Sequence, residues 1–257
     1  MAQSPAITLT TDFGTTDGYA GAVKGVLLSR APGVPLIDLA HDVAPFDRVG
    51  AFLLLRTAVR HFPVGTVHLV VVDPGVGTAR RGLVVRAQGQ TLVGPDSGIL
   101  PALFPAAEVR AWALKPARFA GAAPTFHGRD VFAPVAAALA LGEAPENLAD
   151  PVQDAERLAL PAASRVGNLA KGEVIHVDRF GNLVSNLAAR ALDNSAHVSI
   201  SVDRKPVKFA ATFGDVKPGE TVAYWGSGGL LEIAVRDGNA RERFGGLGVA
   251  VEIVKYA

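Results

Sequence analysis

The chain has 257 residues, a formal net charge of +1 and no cysteine, enough length for one large or two small domains with full cores. The near-neutral charge gives no electrostatic footing for nucleic acid or an anionic membrane, and the missing thiols exclude disulfides and cysteine-ligated zinc. No apolar run approaches the ~20 residues that span a bilayer, and Met1-Ala2-Gln3-Ser4-Pro5 lacks the pattern of a signal peptide, so the expectation is a soluble, cytoplasmic protein.

In chain order, Ile7–Thr11 reads as a first strand, ended by Asp12-Phe13-Gly14. Apolar spacing predicts a helix over roughly Tyr19–Arg30, broken by Pro32-Gly33. A short strand at Leu36–Leu39 leads through the loop His41–Asp47 to a helix over Arg48–His61. Val67–Val72 is a run of aliphatic and β-branched residues, as in a strand buried on both faces, and it stops at Asp73-Pro74-Gly75. Strands near Leu83–Ala87 and Thr91–Val93 flank a turn at Gln88-Gly89-Gln90. In Gly94-Pro95-Asp96-Ser97-Gly98, Ser97 is read as a helix N-cap. A strand near Val109–Leu114 and a helix over Val131–Leu141 complete an alternating α/β half, which predicts a mostly parallel, Rossmann-like sheet. Ala144–Gly167 lacks periodicity and reads as connection. Beyond it come seven short candidate strands: Gly172–Val177, Leu183–Leu187, Val198–Val202, Lys205–Phe209, Thr221–Trp225, Leu230–Val235 and Val249–Val254. Their even spacing and glycine turns predict a small barrel or sandwich. The expected organisation is an N-terminal domain over 1–150, a linker over 151–170 and an all-β domain over 171–257.

Three strand-to-loop stretches carry charge where open α/β sheets bind ligands. Asp73 ends a buried strand, and its glycine loop delivers Arg80 and Arg81; the alternative is a capping Asp with both arginines in solvent. Asp12 is a strand-end carboxylate able to accept two hydrogen bonds, or a plain turn residue. Phe126-His127-Gly128-Arg129-Asp130 sets a His beside a charge pair at a helix start, for chemistry or for a structural hydrogen bond. The six histidines are scattered, with no zinc-type helical pair. Gly75-Val76-Gly77-Thr78-Ala79-Arg80 lacks the last glycine of a dinucleotide fingerprint and the Gly-Lys-Ser/Thr of a P-loop. Neither metal nor cofactor is expected.

Taken together and in this order, Thr11-Asp12-Phe13-Gly14-Thr15-Thr16-Asp17, Val72-Asp73-Pro74-Gly75-Val76-Gly77-Thr78-Ala79-Arg80, Gly94-Pro95-Asp96-Ser97-Gly98, Phe126-His127-Gly128-Arg129-Asp130, Asp178-Arg179-Phe180-Gly181-Asn182-Leu183-Val184-Ser185-Asn186 and Gly226-Ser227 resemble the S-adenosylmethionine hydrolases, relatives of the fluorinases and chlorinases. The resemblance runs nearly end to end. It implies a Rossmann-like domain followed by a β-barrel. It also implies a homotrimer with active sites between subunits, and hydrolysis of S-adenosylmethionine to adenosine and methionine with no cofactor. By motif, the family's water-holding set falls on Asp73, Arg80 and His127. Halogenases carry other residue types there, and fluorinases carry an extra N-terminal loop for which the run from Leu83 to Pro95 leaves no room. For substrate, the resemblance points to Asp12 for the ribose, Asp17 for the methionine ammonium or for capping the next helix, and Phe46 for the ribose or sulfonium path or else for the core. In the second domain it points to Asp178 for the methionine ammonium, Phe180 and Asn182 for adenine, and Asn186, Ser227 and Glu232 as further polar contacts. Two departures stand out: Gly228 where fluorinases have Arg, and Arg236 where the family has Asn. The competing functions are a halogenase of the same substrate and a non-catalytic adenosine or S-adenosylmethionine binder.

Overall fold

The computed structural model describes residues 6–188 and 198–256. Met1–Pro5, read above as lacking a signal pattern, lies outside the described residues. The chain divides into two compact units, Met1–Ala159 and Leu160–Ala257. No helix among the described residues is long and apolar enough to cross a membrane.

The first unit holds β1 (Ile7–Thr11), β2 (Leu36–Ala40), β3 (Val67–Val71), β4 (Gly82–Ala87), β5 (Gln90–Pro95), β6 (Arg110–Leu114) and β7 (Ala149–Val152), in the spatial order β2-β1-β3-β5-β4-β6-β7. The strands β2, β1, β3 and β5 pair in parallel, and from β5 outward the pairs are antiparallel, so only β4 and β7 oppose the rest. Its helices are α1 (Tyr19–Arg30), α2 (Arg48–Ala58), α3 (Ile99–Ala102), α4 (Ala133–Ala140) and α5 (Pro145–Leu148). Ile7 and Leu9 of β1 and Leu69 and Val71 of β3 face one side, where α1 brings Val23 and Leu27 and α4 brings Val135 and Ala136. Each such fully buried aliphatic side chain contributes roughly 1.5–3 kcal/mol.

Because strand side chains alternate, Thr8 and His68 point to the other face. His68 is fully buried. Its Nδ1 bonds Thr8 Oγ1 at 2.7 Å and its Nε2 bonds Gln90 Oε1 at 3.2 Å. Burial pushes its pKa down to about 4, partly offset by the Gln90 bond.

The connections create the crevice. From β1 the chain crosses through α1 to β2 on one side, then returns through α2 to β3 on the other side of β1. Strand order therefore reverses between β1 and β3, the position at which open α/β sheets bind ligands beyond their carboxyl ends. Thr11 pairs with Val71, so the two ends are level. Asp12 follows β1 directly, and Asp73 stands two residues beyond β3.

Three local expectations are corrected. Ser97 is not an N-cap: Gly98, in the left-handed conformation, caps α3 without a side-chain bond, and Ser97 Oγ donates to Val72 O at 3.4 Å. The helix expected over 131–141 is α-helical only from Ala133, after a π-helical turn over Gly128–Phe132. The aperiodic stretch 144–167 contains α5, then β7 as an antiparallel edge on β6, where Pro151 is tolerated because one side of the strand needs no donor, then a short strand β8 (Ser164–Val166).

The second unit contains, besides β8, the strands β9 (Leu169–Val177), β10 (Leu183–Ala188), β11 (Val198–Val202), β12 (Lys205–Phe209), β13 (Thr221–Trp225), β14 (Leu230–Val235) and β15 (Ala250–Lys255), with the short helix α6 (Ala240–Phe244). The order β10-β14-β13-β12-β11-β15-β9, with β9 pairing back onto β10, closes a seven-stranded barrel; β8 adds to the outer edge of β9. Alternate residues of β10 turn inward onto Ile200, Ala223, Leu231 and Ile233. All seven predicted strands are present, and the barrel alternative holds.

The His68 network predicts an acid-labile fold. The unfolded chain takes up its proton near pH 6.5 and the folded chain only near pH 4, so the unfolded state binds more protons in that window. The stability this residue contributes is complete above pH 6.5 and is lost as pH falls towards 4, at up to about 1.4 kcal/mol per pH unit. Urea midpoints measured across that range should show the slope, and His68→Gln should remove this residue's share of it.

Candidate active site

Asp73 is buried beside the end of β3, 7% exposed. Its chain turns at Pro74-Gly75 and comes back through Arg80, which lies against it in a two-pronged pair. Arg80 Nε donates to Asp73 Oδ1 at 2.8 Å, and Nη2 donates to Oδ2. The Gly75 amide also donates to Asp73 Oδ1, at 3.2 Å. Position 75 has to be glycine, because a Cβ there would stand 2.8 Å from Arg80 Cγ. The Arg80 guanidinium lies 5.1 Å from the centre of the Phe132 ring, within cation–π range.

The same Nη2 bonds His127 Nδ1 at 2.9 Å. A guanidinium only donates, so Nδ1 is an acceptor and the ring proton sits on Nε2. Burial, and then the Arg80 charge, hold the His127 pKa below its ordinary value, against the opposite pull of Asp73 and Asp130. His127 is therefore neutral at pH 7. One group in this set is unsatisfied: Arg80 Nη1 is buried and has no hydrogen-bond partner among the described residues. Buried donors are nearly always paired, so such an exception marks a place for a ligand or solvent.

Asp12 stands at the neighbouring strand end. Its Oδ2 accepts from the Phe46 amide at 2.9 Å. Burial, with a smaller contribution from the Asp73 charge, raises its pKa above the usual carboxylate value. Phe46 is not a core residue: its ring is 62% exposed, and its φ of 64° is a strained choice for an aromatic residue. Asp17 is exposed and does not cap α1, whose N-cap is Gly18 with no side-chain bond.

Phe13, Tyr19 and Phe126 pack edge-to-face with centroids 5.4–6.2 Å apart, joining the loop after Asp12 to the segment before His127. Beside the inward-turned Arg80, Arg81 faces outward. It donates through Nη2 to Asp96 at 2.7 Å and through Nη1 to Asp154 at 2.9 Å. Neither arginine is a free solvent group, and in the sequence only the family motif set Arg80 apart from Arg81. The aromatic trio and the Arg81 brace were likewise invisible there, because their members lie far apart along the chain.

In the second unit, Asp178 is committed to its own turn. Its Oδ1 accepts from the Phe180 and Asn182 amides and its Oδ2 from Asn182 Nδ2, each at 2.8 Å, a local motif common in such turns. Phe180 is left 78% exposed. Asn186 Oδ1 accepts from the Glu173 amide at 2.8 Å, and its Nδ2 donates to Pro161 O at 2.9 Å. Glu232 accepts from Tyr224 Oη at 3.0 Å, and burial raises its pKa, with Asp178 adding to the rise. Ser227 is exposed in the turn between β13 and β14. The departure at Arg236 is spent internally, since its Nη1 donates to Val216 O at 2.7 Å. Among the described residues, no three His, Asp or Glu side chains group as a metal-holding set.

Residues 7–149 match the S-adenosylmethionine hydroxide adenosyltransferase N-terminal domain, and residues 172–250 match the C-terminal domain of that family. An (R)-S-adenosyl-L-methionine hydrolase from Thermus thermophilus is 46% identical, over 91% of this chain and 93% of its own length. Another of that name from Salinispora tropica is 42% identical, over 95% of each chain. A fluorinase from an Actinoplanes species is more distant, at 28% identity. The crystal structure of a Thermotoga maritima protein superposes with a TM-score of 0.86 at 36% identity, covering 97% of this chain and 100% of its own. With two matched domains spanning most of its length, the chain belongs to the S-adenosylmethionine hydroxide adenosyltransferase family.

Proposed function

We infer that this protein hydrolyses S-adenosyl-L-methionine to adenosine and L-methionine, and that Asp73, Arg80 and His127 hold the attacking water. The observation that carries the reading is the buried Arg80 guanidinium, fixed by Asp73 and His127 while its Nη1 has no hydrogen-bond partner among the described residues. In this scheme the water oxygen forms a bond to ribose C5′ as the C5′–sulfur bond breaks. The bonding pair passes to sulfur, methionine leaves as a neutral thioether, and the water's proton passes to the site. A sulfonium is already an activated leaving group, so the scheme needs neither a general acid nor a metal or other cofactor. Holding the water in line, within about 3–3.5 Å of carbon, supplies much of the rate. Developing hydroxide charge and the sulfonium charge cancel in a desolvated crevice.

Roles within the set follow from its hydrogen bonds. Arg80 is too basic to take a proton and serves as donor. The acceptor nitrogen of His127 is occupied by Arg80, which leaves its Nε2–H to donate. Asp73 Oδ1 already accepts from Arg80 Nε and the Gly75 amide, but Oδ2 accepts only from Arg80 and keeps a lone pair, so Asp73 is the favoured proton acceptor. The carboxylate also disfavours a halide at the same place, since like charges repel. Asp12 binds the ribose diol, with Phe46 exposed beside it. Asp17, Asp178, Phe180, Asn182, Ser227 and Glu232 remain candidates for the methionine and adenine ends. The family resemblance supports a homotrimer with its sites at subunit interfaces, and the relatives' names support preference for the (R) sulfonium.

Purified protein incubated with the substrate in heavy-oxygen water should give adenosine labelled at the 5′-hydroxyl; unlabelled adenosine, or a 5′-halo product when halide is added, would overturn the assignment. Asp73→Asn should lower kcat by about 10²–10⁴-fold and also lower the urea midpoint, because the buried Arg80 charge loses its counterion. Light scattering should give a mass about three times the chain's 26.6 kDa.

A further inference from the structure

Asp12 is useful to a ribose only if its carboxylate is aimed, and the turn that carries it is bonded to one buried side chain outside the set above. His41 is 6% exposed, in the loop after β2. Its Nε2 bonds Asp38 Oδ1 at 3.0 Å, and Asp38 Oδ2 accepts from Lys24 Nζ at 2.6 Å. A carboxylate with a lysine beside it only accepts, so His41 carries a proton on Nε2, and in the neutral ring Nδ1 is then the acceptor. That Nδ1 is 2.8 Å from Thr11 Oγ1, so the hydroxyl donates to it and turns its lone pairs to the Phe13 amide, 3.3 Å away. The carbonyl of His41 accepts from the Gly14 amide at 2.7 Å. The two amides that follow Asp12 are thus held from His41, one through Thr11 and one directly. Five residues further along the same loop, the Phe46 amide holds the Asp12 carboxylate itself. Every bond in the series has one consistent donor direction, from Lys24 and His41 into Asp38, and from Phe13 through Thr11 into His41.

We propose that His41 is a positioning residue for Asp12, fixing the Thr11–Gly14 turn so that the carboxylate meets the ribose diol, with Asp38 setting the His41 tautomer. The inference rests on the reading of Asp12 as the ribose ligand. It predicts an effect on binding rather than on the bond-breaking step, because the ribose diol is held alike before and during attack.

The test measures adenosine affinity by calorimetry and KM and kcat by steady-state kinetics. His41→Leu and the near-isosteric Thr11→Val should each raise KM and the adenosine Kd about tenfold, with kcat changed by less than about threefold. His41→Asn, whose Oδ1 can replace Nδ1 as acceptor, should recover most of the affinity. In an Asp12→Ala background, neither substitution should weaken adenosine binding further. If Asp12→Ala binds adenosine as the parent does, the ribose reading is wrong and this inference falls with it. If Asp12→Ala weakens binding but His41→Leu and Thr11→Val do not, the ribose reading stands and the positioning role is wrong. Effects that add fully in the double variant also overturn it. Should His41→Leu fail to fold, Thr11→Val decides alone.

Discussion

The site depends on one buried guanidinium being held on two sides. Arg80 shares its Nε and Nη2 hydrogens between a carboxylate and an imidazole, and a charged group so far from water is stable only because each neighbour accepts from it. The consequences spread outward. Asp73 is held by two parallel hydrogen bonds, His127 is kept neutral with a defined tautomer, and the remaining nitrogen is left with hydrogens to give. Removing the Asp73 carboxylate would leave the buried Arg80 charge without its counterion, which costs several kcal/mol. The arrangement is therefore as much a folding constraint as a chemical one.

The sheet supplies the geometry that brings the partners within reach. The reversal of strand order between β1 and β3 opens the crevice and puts Asp12 and Asp73 at neighbouring strand ends. The π-helical turn ahead of α4 follows directly on His127, a local widening often found at functional positions. Edge-to-face packing of Phe13 and Phe126 ties the first of these segments to the third. At Gly128 a Cβ would approach Phe13 Cζ to 3.0 Å, so the contact leaves little space for a side chain.

Much of this was legible in the sequence, for different reasons in different places. Buried strands show themselves by composition, and β3 could be read from its aliphatic run and the abrupt Asp-Pro-Gly stop. The barrel strands were legible because alternation and glycine turns are local signals. Asp73, Arg80 and His127 were identified through motif resemblance; nothing in the spacing of residues 73 and 127 implies contact. What escaped notice was non-local or exposed. β7 is a short edge strand containing a proline, without alternation. Ser97 has the composition of a cap, but a left-handed Gly98 took that place. Phe46 has the composition of a core residue, yet its amide is drawn to Asp12 and its ring is turned outward. The bonds that Asn186 makes to Glu173 and Pro161 are also non-local and left no mark in the sequence.

Adjacent in sequence, Arg80 and Arg81 meet opposite surroundings. The side chain of Arg80 is 10% exposed and that of Arg81 is 36% exposed, with Asp154, one of its two acceptors, largely in solvent. Counterions therefore reach the second arginine and not the first. Electrolyte weakens the exposed pair between Arg81 and Asp154, while the inner pair of Arg80 and Asp73 is insulated from it. The loop thus has a salt-tunable hinge on its outer side and a salt-indifferent anchor on its inner side, one residue apart.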